Sequence, residues 1–151
     1  MGFFTENEVE TFDFGEAHIG ELRFGLGPFY MLLDNMKILE KNSCNRDVRT
    51  MRTNGLMFRI IDPQIVAVTE EGCKIYNADG VLQREVPDRP VEPEEYAKLC
   101  KQLEDAVIYE LKKEDNIYRI SIDAEEHGYT LEIAGSGDSE EWERFMNLAE
   151  M

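Results

Sequence analysis

Between residues 54 and 80 the chain is interrupted at short intervals by turn signals: Asn54-Gly55, Asp62-Pro63, Glu70-Glu71-Gly72 and Asp79-Gly80. Short runs of β-branched, aromatic and long aliphatic residues fill the spaces between them. Asn-Gly and Asp-Gly steps accept the positive φ that tight hairpins require, so this rhythm predicts an antiparallel meander of five strands. A two-residue turn at Asn54-Gly55 sets Thr53 against Leu56, Met51 against Phe58 and Arg49 against Ile60. The other side of that ribbon carries Arg52 with Met57, Thr50 with Arg59 and Val48 with Ile61. The next ribbon sets Ile65–Thr69 against Cys73–Tyr76, with Gly72 at the left-handed position of the loop. Asp79-Gly80 then pairs Ala78 with Val81, Tyr76 with Gln83 and Lys74 with Glu85, the last an opposite-charge cross-strand pair.

The flanks read as mixed structure. A hairpin is expected over Val9–Phe14 and Ile19–Phe24, turning at Gly15-Glu16-Ala17-His18. After Gly27-Pro28, the spacing of Phe29, Leu32, Leu33, Met36 and Leu39 predicts a helix over 28–41, with a long strand as its rival. Pro87, Pro90 and Pro93 close the meander. The stripe Tyr96, Leu99, Cys100, Leu103, Val107, Leu111 predicts the longest helix, 93–113. A ribbon of Asn116–Asp123 and Tyr129–Ala134 follows, with Tyr118, Ile120, Ile122, Tyr129, Leu131 and Ile133 on one face. A C-terminal helix over 139–150 is expected to pack Trp142, Phe145, Met146 and Ala149. The fold class that results is α+β in a single domain, residues 1–151. A curved, barrel-like antiparallel sheet of about seven to nine strands would pack against the long helix, with a C-terminal helix besides.

Charge narrows the partners. Of 151 residues, 32 are acidic and 16 basic, giving −16. Such a chain repels phosphate backbones and anionic lipid surfaces, which disfavours nucleic acid and membrane roles. Cys44, Cys73 and Cys100 are odd in number and without C-x-x-C spacing, which reads as small buried hydrophobes in a reducing compartment. Met1-Gly2-Phe3-Phe4-Thr5-Glu6 lacks the basic and apolar regions of a secretion signal, and Glu6 stands where a myristoylation motif wants Ser or Thr. No run approaches the ~20 apolar residues of a membrane span. A cytoplasmic location is the expectation.

Motifs for chemistry are weak. Ala134-Gly135-Ser136-Gly137-Asp138-Ser139 has the order of a phosphate loop, but the acids that follow would repel phosphate, and Asp138 with Glu141 reads as a helix cap. Asp123, Glu125, Glu126 and His127 crowd a turn, and Asn77-Ala78-Asp79-Gly80 starts like a calcium loop without its later ligands. His18 and His127 have no nucleophile or carboxylate at motif spacing. No cofactor or metal is implied, and no catalytic residue stands out.

One local charge remains. Residues 37–62 hold six cations (Lys37, Lys41, Arg46, Arg49, Arg52, Arg59) against Glu40, Asp47 and Asp62, a local +3. In the register above, Arg52 and Arg59 lie diagonally on one face, an arrangement that calls for counter-charge. That counter-charge is either an anion from outside, a small ligand or an acidic partner segment, or the acids of residues 85–151, where 19 acids face 7 bases. Two functions follow from the sequence. The first is a non-catalytic acidic interaction module with an unidentified protein partner and Phe3, Phe4, Phe12 and Phe14 as its exposed handle. The second is a domain binding a small anionic ligand at Arg52 and Arg59. A hydrolase with unassigned carboxylates is third, and would need a cleft holding a carboxylate with a strongly raised pKa.

Overall fold

A computed structural model describes residues 2–25, 27–125 and 127–148. Strands hold 53% of the chain and helix 9%, so the class is mostly β rather than the expected α+β. The strands are β1 (Phe3–Glu6), β2 (Phe12–Asp13), β3 (His18–Arg23), β4 (Phe29–Asp34), β5 (Met36–Ile38), β6 (Met51–Thr53), β7 (Leu56–Ile61) and β8 (Gln64–Glu70). They continue with β9 (Cys73–Tyr76), β10 (Leu82–Val86), β11 (Arg89–Pro90), β12 (Val107–Glu114), β13 (Ile117–Asp123), β14 (Gly128–Ala134) and β15 (Gly137–Trp142). A 3-10 turn at Pro93–Glu95 runs into helix α1 (Tyr96–Gln102).

Ten strands make one sheet in the order β1-β15-β7-β4-β3-β12-β13-β14-β8-β11; β2-β5-β6 form a second and β9-β10 a third. Three of the four central turn signals are corners rather than hairpin tips. β4 and β5 pair with β7 and β6 in one continuous register (Leu33 with Leu56, Met36 with Thr53), bending where Asn35 (φ 58°) meets Gly55 (φ 72°). The expected Asn54-Gly55 ribbon is therefore not formed, and β6 and β7 belong to different sheets. β7 and β8 likewise pair with β15 and β14 in one register across the corner (Ile61 with Gly137, Gln64 with Ala134), bending at Asp62-Pro63, with a bulge further on between Glu132 and Ile133. At the Glu70-Glu71-Gly72 signal, β8 and β9 pair with β11 and β10 (Glu70 with Arg89, Cys73 with Val86). Only Asp79-Gly80 is a tip, where Lys74 faces Glu85 as expected and a bulge moves Tyr76 from Gln83 to Leu82.

These corners fold the large sheet back on itself. Phe58 of β7 reaches Tyr118 of β13 edge-on, 6.3 Å between centroids, although three strands lie between them in the sheet. The enclosed core holds Phe29, Met31 and Leu33 of β4, Leu56, Phe58 and Ile60 of β7, and Tyr118, Ile120 and Ile122 of β13. β13 and β14 form the expected ribbon, with Ile120 opposite Leu131.

The three expected helices are corrected by the same physics. Over 28–41 the chain forms β4 and β5, because Phe29, Met31 and Leu33 bury at a period of two. Helix 93–113 ends at Gln102; Asp105 turns left-handed (φ 71°) and Val107-Ile108-Tyr109, β-branched and aromatic, begin β12. Residues expected to start a C-terminal helix form β15 between β1 and β7; Ala149 lies outside the described residues. The N-terminal hairpin is also not formed, since β2 pairs with β5 and β3 with β4. Among the described residues, no helix is long and apolar enough to cross a membrane.

Candidate functional site

Arg52 and Arg59 are not brought together as a pair on one ribbon face. Arg52 is buried in β6, opposite Lys37, and its backbone exchanges hydrogen bonds with Met146 (2.8 and 2.7 Å). Arg59 lies on β7 between Tyr30 and Ser139, and its guanidinium stands 3.7 Å from Glu141. Glu141 belongs to the acidic C-terminal stretch. Of the aromatic handle, Phe12 and Phe14 are core residues, Phe3 stacks on Trp142 at 5.7 Å, and Phe4 alone is exposed.

The expected cap at Asp138 is instead part of a buried acid pair. Asp138, Glu140 and Trp142 share one face of β15, and both acid side chains have no solvent exposure. Tyr118 donates to Asp138 Oδ2 at 2.6 Å, and Thr5 donates to Glu140 Oε1 at 2.7 Å. Burial, then the hydrogen bond and negative charge of Asp138, hold the Glu140 carboxyl far above the ordinary glutamate range. Two adjacent carboxylates in a low-dielectric core cannot both be charged cheaply, so Glu140 keeps its proton at neutral pH. The Tyr118 hydroxyl is pushed up for the same reasons, burial first and Asp138 second. Among the described residues, Asp138 Oδ1, Glu140 Oε2 and Trp142 Nε1 have no further partner, a pattern that internal water commonly satisfies.

Cavities open elsewhere among the described residues, and three of them are large enough to hold a small molecule. One, of about 300 Å³, lies at the Asp62 and Ser136 corner. A second, of about 420 Å³ beside α1, is filled electrostatically: Arg89 makes two 3.1 Å bonds to Glu95 and one of 3.2 Å to Glu70. A backbone hydrogen bond at Glu92, and then Arg89, hold the Glu95 carboxyl below its ordinary value.

The largest, about 780 Å³, is a groove between α1 and the ends of β3, β4 and β8. Leu22, Phe24, Phe29 and Ile65 supply its apolar walls. Gly25 (φ 118°) and Gly27 (φ 93°) break the chain between β3 and β4 in a way a side chain would resist, which opens the mouth. Tyr96 packs on Phe24 at 5.1 Å, and the Cys100 thiol rests 4.0 Å from the Phe24 carbonyl. Burial pushes that thiol up from its ordinary value, leaving a neutral surface rather than a nucleophile. The rim is balanced in charge, Arg23 and Lys101 against Glu21 and Glu104. Arg23 lies 3.7 Å from Glu21, which also accepts from the Tyr30 hydroxyl at 3.0 Å. Neither Arg52 and Arg59 nor Asp138 and Glu140 line any of these three cavities.

The remaining sequence candidates have structural roles. His18 Nε2 sits 3.4 Å from Asp105, and the Asn77 side chain accepts from the Asp79 and Val81 amides (2.9 and 3.0 Å), closing the hairpin tip. Asp123, Glu125 and His127 form no metal site, since no group of three such ligands occurs among the described residues; Glu126 lies outside them. The cysteines are free, with Cys100 buried, Cys44 partly buried and Cys73 exposed, so the buried reading fails at Cys73. Sequence reasoning missed the groove because its walls come from a presumed hairpin, a presumed helix and a meander strand. The signal available was Gly25-x-Gly27-Pro28, treated only as punctuation. Compared with known protein families, curated proteins and solved structures, the chain matches none.

Proposed function

We propose that this chain is a non-catalytic binding domain that takes a small amphipathic molecule in the groove beneath α1. The observation that carries this reading is the groove itself: about 780 Å³, within the ~300–1,000 Å³ range of small-molecule sites, with aromatic side chains in its walls and charged ones at its rim. The apolar body of the ligand lies against Phe24, Ile65 and Tyr96. Its head meets a rim where two cations offset two anions, which suits a zwitterionic or uncharged group better than a bare anion. The anionic site at Arg52 and Arg59 is the rival, weakened by the Glu141 contact to Arg59.

Thermal melts with decanoic acid, decylamine and a decyl betaine, each below its micellar concentration, test this. A ligand at 100 times its Kd adds ~2.7 kcal/mol, about 5–11 °C at this chain length. The expected result is the largest shift with the betaine. Ala97→Trp fills the groove from an exposed helix position, so it should abolish the shift and leave the ligand-free melt nearly unchanged. A shift that survives Ala97→Trp but disappears in Arg59→Glu returns the site to the arginines.

A further inference from the structure

The β9-β10 arm contributes nothing to the groove or the core. It continues the β8-β11 ribbon beyond Gly72 and Pro87, and neither of its strands pairs with any other. Every residue of β9 is exposed, and so are Val81 and Leu82. A two-stranded hairpin with no covered face is marginal in water, and clustered exposed apolar groups such as Ile75, Tyr76, Val81 and Leu82 mark a surface for contact.

Its two outer edges differ. The β10 edge carries Arg84 and Glu85, a bulge between Leu82 and Arg84, and Pro87 at its end, all devices that discourage strand addition. The β9 edge has one charge, Lys74, and none of the other devices. Charge then selects the occupant. In a chain of −16, residues 73–86 hold Lys74 and Arg84 against Asp79 and Glu85, a net of zero. A basic partner is drawn to the acidic remainder, whereas a like chain meets least repulsion at the arm.

We infer that β9 pairs antiparallel with β9 of a second copy of this chain, about a two-fold axis at Ile75. Such an isologous pair must oppose one residue to itself. Centring on Ile75 sets Lys74 across from Tyr76 of the second copy and Cys73 across from Asn77; centring on Lys74 would oppose two ammonium groups. Two arms joined this way form a four-stranded sheet.

Sedimentation velocity of the full chain from micromolar to millimolar concentration should show the mass doubling. Ile75→Lys should return it to monomer and leave the melt at low micromolar concentration unchanged, since Ile75 lies outside the core. In a Cys73→Ser background, Ile75→Cys should form a disulfide-linked dimer on oxidation while Leu82→Cys does not. Self-opposed Cα atoms in an antiparallel pair lie ~4.5–5.5 Å apart, within disulfide reach. A chain that stays monomeric at millimolar concentration, a dimer indifferent to Ile75→Lys, or cross-linking through Leu82→Cys would each overturn the pairing.

Discussion

Glu140 ties the core to pH. Its native pKa lies above its unfolded value of 4.5, so above pH 4.5 the native state holds a proton that the unfolded chain has released. Stability from this group is therefore complete at acid pH and declines as pH rises, by about 1.4 kcal/mol per unit for one proton. Glu140→Gln keeps the shape and donor without the titration. Its melting temperature should match the parent near pH 4.5 and exceed it increasingly toward pH 8, read from paired melts across that range. Parallel curves would mean that Glu140 ionises without penalty. The residues of this pair were visible in the sequence, but their role was not. Acids at 138, 140 and 141 suit a helix start as well as an inward-outward alternation, and only β1 and β7 on either side decide between them. Arg52 and Arg59 failed as a pair for a related reason: their proximity depended on a register, and the register was wrong.

The three bent ribbons show what turn chemistry can and cannot specify. Asn54-Gly55 has the backbone expected of it, with Gly55 at φ 72°, yet its strands pair elsewhere. A dipeptide fixes local φ and ψ; whether the chain doubles back or turns a corner depends on a second strand bending at the same place. The β13-β14 ribbon was legible in full because both of its strands alternate cleanly and their closing turn is local. The corner opposite Asp62-Pro63 depends on Gly135, where an added Cβ would lie 2.3 Å from Ile60 Cγ2 and 3.0 Å from the Ile61 carbonyl. Ile60 is branched there and buried, so it yields little. Gly135→Ala should cost about 1–3 kcal/mol as an overpacking change, roughly 2–12 °C. Gly20→Ala, whose Cβ would meet only the Leu32 carbonyl at 3.5 Å, is the matched control. Equal melts for the two variants would remove Gly135 as the cause of the bend.

At the scale of the whole molecule, 32 acids on a chain with 16 bases repel one another across the surface. Raising ionic strength from 0.01 to 0.15 M shortens the screening length from ~30 to ~8 Å. Melting temperature should rise over that interval, because the relief of general repulsion outweighs the weakening of exposed pairs such as Arg59–Glu141. A falling curve would mean that local pairing dominates.

The place of β15 sets the order in which the fold can form. β15, which follows the other fourteen strands in chain order, lies between β1 and β7, with Phe3 opposite Trp142 and Glu140 opposite Phe58. Until it arrives, those two strands present open edges, and the core lacks its only tryptophan. Chains in which β15 has not yet docked are therefore the species most prone to capture by other strands, and the sheet is complete only once β15 joins β1 to β7.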